Sequence, residues 1–186
     1  MTTLINPAPL SPRGKVMVLL NVLGLIIIWG IGIYAFFVFT DPIPTHFDAA
    51  GRVTTYGSKT TFLIVSAAFS ISPACFILLT KYRFTLINKY PYLVNLPAFF
   101  LNIKNLSPER RSFWTNQYFE LMLMLGALLS FYMVALTAMI FQGTTAGSLF
   151  SWFTTFSIIF PLAILIPFFI VMQNLSQKIK NEAEVE

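Results

Sequence analysis

Charge is scarce in this sequence. Asp, Glu, Lys and Arg make up only 10% of its 186 residues, against 56% hydrophobic ones, whereas a soluble domain carries roughly 25% charged residues. That shortage excludes a mostly water-facing surface. Histidine and cysteine are scarcer still, with one of each. A lone cysteine, Cys75, cannot form an internal disulfide, and its place within an apolar run suggests a small packing residue. A lone histidine excludes the two-histidine HExxH metal motif, and a redox centre ordinarily needs several His or Cys ligands.

What is abundant is apolar. Twenty residues are Phe, and the mean hydropathy is +0.75. Four stretches are long enough to cross a bilayer, which takes ~20 apolar residues: residues 16–39, 61–80, 120–141 and 149–172. The sequence therefore predicts an all-α integral membrane protein with four transmembrane helices. The first stretch is too long for the ~7–15-residue core of a secretory signal and reads as a retained span. In the third, Ser107-Pro108-Glu109 reads as N-cap, first helical position and first-turn acid. That pattern predicts a helix already under way at Pro108, which brings Glu120 to the membrane boundary. An acid at such a depth is a functional candidate. Asn21 and Gln142, near span ends, read as interface residues.

Ten of the twelve basic residues fall in the N-terminal arm (1–15), the connection 81–119 and the tail (173–186). By the positive-inside rule these segments are expected to be cytoplasmic, with both termini inside the cytoplasmic membrane and the loop 40–60 facing outward. Basic residues beside span ends set topology and meet anionic lipid, so the net charge of +5 does not indicate nucleic-acid binding. The arm holds three prolines and no buriable pattern, and it reads as loose. The connection is aromatic and apolar but is interrupted by Pro91 and Pro97. It suits either a membrane surface or a cytoplasmic regulator, with Asn95, Pro97, Arg110, Arg111 and Glu120 as the candidate partner surface. Gly24, Gly30 and Gly32, and Gly126 with Ser130, offer close helix approach within the chain or in a homo-oligomer.

The outward loop carries the polar chemistry. Asp41-Pro42-Ile43-Pro44 stiffens the exit from the first span, Ala50-Gly51-Arg52 reads as a turn, and 53–56 has strand-like composition. Ser58 is placed to N-cap the second span. The loop has no obvious regular structure, yet its Pro and Gly positions argue for order, making it an ordered extracytoplasmic cap. His46 admits three readings. With Asp48 and Asp41 it is a thin metal-ligand set; alone it is a proton sensor near pH 6.5; or it and the acids bond backbone groups that fold the loop.

The run DPIPTHFDAAGRVTTYGSK, with Pro44, Thr45, His46, Gly51, Tyr56, Gly57, Ser58 and Lys59 at the matching positions, resembles the signature of a bacterial and archaeal membrane family of unknown function. The same module forms the N-terminal part of SdpI-type immunity proteins, and Asn95 to Pro97 resembles an element of their cytoplasmic connection. The resemblance implies a role in resistance to a secreted toxic peptide, with signalling through a regulator held at the membrane. SdpI-type proteins carry further spans beyond the four counted here.

The expected function is thus binding or sensing of an envelope ligand or peptide, with no cofactor implied. An oligomeric transporter or channel subunit is the alternative, against which the spans offer almost no ionisable groups. An enzyme comes third, because one His and two Asp are a thin inventory for hydrolysis.

Overall fold

The computed structural model of the protein describes residues 4–185. Helix α1 (Pro12–Val38) leads into strands β1 (Ile43–Phe47) and β2 (Val53–Gly57), then α2 (Thr61–Lys81). Short helices α3 (Arg83–Lys89) and α4 (Pro97–Asn102) follow, separated by a 3-10 turn at Pro91–Leu93, before α5 (Pro108–Ala146) and α6 (Phe153–Ala183). The four long helices are each apolar enough to cross a membrane, so the chain is a multi-pass membrane protein.

Helix α5 is the centre of the bundle. Half of its most apolar 18-residue stretch is buried, against 11% for α6 and 17% for α2. It packs against α1, α2 and α6, while α6 rests on α5 and α4. At 39 residues it extends about 58 Å, well beyond a ~30 Å hydrocarbon core. It starts at Pro108, as the cap at Ser107 and Pro108 predicts; the Ser107 hydroxyl accepts the Arg110 N–H. Each of the other long helices leaves apolar side chains exposed, such as Ile26 and Phe37 on α1 and Ile158 and Ile166 on α6. In a bilayer these face lipid. Cys75 lies on this exposed surface and not in the packing, contrary to its expected role.

Small residues set the helix spacing. A Cβ on Gly24 would stand 2.0 Å from the Ser130 hydroxyl, and one on Gly32 would stand 2.1 Å from that of Ser66. These two contacts bring α1 against α5 and α2 respectively, as small-residue packing in membranes requires. Gly30 faces open space and takes no part. Asn21 is fully buried and donates to the Leu123 carbonyl of α5 at 3.0 Å and to Met17 at 2.8 Å. It is an interhelical tie, not the interface residue its position suggested. Pro73, Pro161 and Pro167 lie within continuous helices.

Candidate functional site

The two ends of the bundle carry nearly all the polar chemistry. At one end, β1 and β2 pair antiparallel, with Pro44 opposite Tyr56, His46 opposite Thr55 and Phe47 opposite Val53. The loop thus has the regular structure its composition did not announce: a two-stranded hairpin. Asp48 organises its turn. One carboxylate oxygen accepts the Ala50 and Arg52 N–H groups at 2.9 Å, and the other takes the Arg52 Nε at 2.9 Å. These bonds, led by the Arg52 backbone, hold the Asp48 carboxyl below its ordinary range. Gly51 has φ +80, a left-handed conformation that disfavours a side chain.

Asp41 closes the hairpin's base. It accepts the Lys59 N–H at 2.6 Å and the Ser58 hydroxyl at 3.2 Å. The expected Ser58 cap is displaced by this arrangement: the residue before α2 is Thr60, without a side-chain cap, and Ser58 Oγ accepts the Thr60 N–H at 3.3 Å. Lys59 stands over the Phe36 ring at 5.0 Å. Gly57 leaves room for Thr45, whose methyl would lie 3.0 Å from any Cβ there.

The hairpin is sewn to the connection between α5 and α6. Leu149 donates its N–H to the Gly51 carbonyl at 2.8 Å, and Arg52 bridges to Ser148. A Cβ at Gly51 would stand 2.4 Å from the Leu149 carbonyl oxygen. Thr144 reaches the Pro44 carbonyl at 3.5 Å and Thr154 that of Ala49 at 3.4 Å.

Beneath this cover lies a cavity of about 240 Å³. Ile43, Phe62, Val65, Ile140 and Phe153 make it apolar, while Pro44, Thr45 and His46 contribute its polar edge. His46 is otherwise exposed, with only the Thr45 hydroxyl at 3.4 Å beside its Nδ1. Tyr56 is also exposed. Asp41 and Asp48 are occupied by the bonds just described. Among the described residues, no three His, Cys, Asp or Glu side chains come together.

The other end, where ten of the basic residues gather, is built differently. The arm expected to be loose is packed: Ile5 is 2% exposed and shares a core with Ile87, Leu96, Phe99, Trp114 and Ile179. Its backbone is read by side chains of the helices. Asn88 exchanges two bonds with Ile5, both 2.9 Å. Ser112 donates to the Asn6 carbonyl at 2.7 Å, Arg83 to that of Ala8 at 2.6 Å and Asn116 to that of Pro9 at 2.8 Å. Arg83 also donates to Asn116 Oδ1 at 2.7 Å and to the Thr80 carbonyl at 2.9 Å. Its burial lowers its pKa, and the charge of Glu120 opposes that shift.

Glu120 is buried at 4% exposure without an ion-pair partner within 4 Å among the described residues. It is sustained by the start of α1. Ser11 donates both its N–H, at 2.8 Å, and its hydroxyl, at 2.6 Å, to the carboxylate. The same hydroxyl accepts the Gly14 N–H at 3.1 Å as the N-cap of α1. The positive end of the helix dipole therefore faces the carboxylate. Gly14 makes the approach possible, since a Cβ there would lie 2.7 Å from the Glu120 carboxyl carbon.

Of the remaining residues of the anticipated partner surface, Arg110 and Arg111 are held by internal bonds, whereas Asn95 and Pro97 are exposed. Arg110 pairs with Glu182 and stacks on Phe113 at 4.2 Å. Arg111 donates to the Ile103 carbonyl at 2.7 Å. Pro97 opens α4, and Asn95 lies between buried Val94 and Leu96. The connection turns one apolar face into the core and leaves Tyr92, Leu93 and Leu101 exposed. Sequence reasoning missed Ser11, Arg83, Ser112 and Asn116. One signal was present: Ser11-Pro12 repeats the Ser-Pro pattern that marks the start of α5.

The domain of unknown function DUF1648 matches residues 23–69, which span most of α1, the hairpin and the start of α2. An uncharacterized protein of Archaeoglobus fulgidus is 38% identical over 178 residues, covering 96% of this chain and 97% of its own length. No solved structure matches the chain. The chain carries the DUF1648 domain and belongs, with the archaeal protein, to a family of membrane proteins of unknown function.

Proposed function

We propose that the protein binds an apolar or amphipathic segment of an envelope-directed peptide in the cavity under the hairpin, as a membrane receptor in peptide resistance or sensing. The hairpin end faces outward and the basic end, with both termini, faces the cytoplasm, in line with the distribution of Lys and Arg. The observation that carries this reading is the hairpin-covered apolar cavity. Its volume of about 240 Å³ falls below the ~300–1,000 Å³ of small-molecule sites, and it suits one or two inserted side chains. His46 and Thr45 at its edge offer hydrogen bonds to a peptide backbone. The resemblance of the hairpin sequence to SdpI-type proteins supports the peptide as ligand, and a regulator at the basic end would complete the signalling role.

The test is expression in a bacterial strain sensitive to secreted antimicrobial peptides. Survival should rise with the wild-type protein, fall back with Val65→Trp, which fills the cavity, and fall partly with His46→Ala. Equal killing of cells with and without the protein, across a panel of such peptides, sinks the proposal.

A further inference from the structure

A second cavity, also about 240 Å³, opens at the basic end between α1, α5 and α6. Two cations stand at it, Arg13 from the first turn of α1 and Lys178 from the last turns of α6. Among the described residues neither has a carboxylate within 4 Å. Among the described residues Arg13 makes one side-chain hydrogen bond, to the Met124 sulfur at 3.1 Å, which leaves most of its five donors unused. Gln117 and Asn174 also line the cavity, and among the described residues their amides form no side-chain hydrogen bond. Four donor-bearing side chains from three helices thus converge on a space that nothing in the chain fills.

The cavity also has a negative wall and an apolar side. Glu120 forms the wall, buried and already bonded to Ser11, so the lining charge is one positive overall. Leu121 and Leu175 close the cavity on the core side, and Val171, exposed on α6, opens it toward the lipid-facing surface. The level is also right for a headgroup, because the apolar stretch of α6 gives way here to Gln173, Asn174, Gln177 and Lys178.

We propose that this cavity binds the phosphodiester headgroup of a membrane phospholipid. Arg13 and Lys178 hold the phosphate, since a guanidinium and an ammonium give charge-assisted bonds to its oxygens. The Gln117 and Asn174 amides bond the remaining oxygens. Glu120 faces the donor group beyond the phosphate, a hydroxyl or ammonium, and disfavours a bare anion. The acyl chains leave along Val171 on the exposed face of α6. This site stands apart from the hairpin cavity and does not rest on the function proposed for it.

The experiment uses the full chain in a maltoside detergent and phosphate-free buffer, titrated calorimetrically with a short-chain phosphatidylglycerol. The wild type should show saturable one-site binding. Arg13→Gln combined with Lys178→Gln should weaken it about tenfold or more, with a melting temperature near that of the wild type. Lys180→Gln, which alters an exposed lysine paired with Glu184 at 3.9 Å, should leave it unchanged. Asn174→Phe, which fills the cavity and spares both cations, should abolish binding and serves as the decisive variant if the double one does not fold. Undiminished binding by Asn174→Phe, or a Lys180→Gln loss as large as the double variant's, overturns the proposal. Inorganic phosphate that binds as tightly as the lipid assigns the cavity to a free anion and overturns it as well.

Discussion

At the hairpin end, the carboxylate bonds that shape the chain join residues 2 to 18 positions apart. At the basic end, the bonds that hold the arm join residues 75 to 109 positions apart. The hairpin is a local structure placed over the bundle by the seam at Gly51 and Leu149. The basic end is the reverse, an arm without structure of its own that is ordered by polar side chains from α3 and α5. The two ends are therefore vulnerable in different places: the hairpin to changes in its turn, the basic end to loss of any one partner in a shared network.

The largest expected effect comes from breaking that network. Arg83→Met leaves Asn116 Oδ1 and the Ala8 carbonyl without the Arg83 donor, in a site where Arg83 is only 9% exposed. Removing one member of a buried charged network costs about 3 kcal/mol, read as a lowered midpoint of thermal unfolding in detergent. Hydrogen exchange of residues 5–11 should accelerate while the hairpin stays protected. Glu120→Gln, which keeps an acceptor for Ser11, should cost less than Glu120→Leu. An arm that stays protected in Arg83→Met would erase the contrast between the ends.

A smaller effect is expected at Gly51→Ala. The new methyl meets both a φ of +80 and the Leu149 carbonyl oxygen at 2.4 Å, a strain of about 1–3 kcal/mol. The hairpin should detach from the connection between α5 and α6, with faster exchange at Leu149 and no change at the arm. Faster exchange at both ends would show that the two are coupled through α5.

The smallest effect is a pH dependence confined to the hairpin turn. Because the folded-state pKa of Asp48 lies below its ordinary 3.8, its contribution is present above that value and is lost as the pH falls through the folded one. Amide exchange at Ala50 and Arg52 should therefore rise only in strong acid, and Asp48→Asn should show the raised exchange already at neutral pH. A transition centred near neutral pH would count against Asp48 as its source.

Legibility followed the same divide. Four apolar helices, the early start of α5 at Pro108, and a turn at Gly51 all follow from residues close together in sequence, where hydropathy, caps and glycine act. The hairpin was half legible: the composition of 53–56 suggested a strand, but Ile43-Pro44-Thr45-His46-Phe47 carries a proline that argues against a paired one. Both strands of a two-stranded sheet are edges, where proline is tolerated. Ser58 is not the cap because α2 starts after Thr60, and its oxygen accepts the Thr60 N–H and hydroxyl while its hydrogen goes to Asp41, 17 residues away.

The membrane class, the number of spans, the clustering of basic residues and the family signature are written in the linear chain, since each depends on solvation or on neighbours along it. Only the tertiary structure decided that Glu120 meets the start of α1, that Arg83 and Asn116 read the arm's carbonyls, and that the hairpin roofs a cavity. Those outcomes depend on which helix faces cross. Lipid-facing and core-facing apolar residues are chemically alike, so the crossings are set by small contacts such as Gly24 on Ser130 and Gly32 on Ser66, which leave little trace in composition.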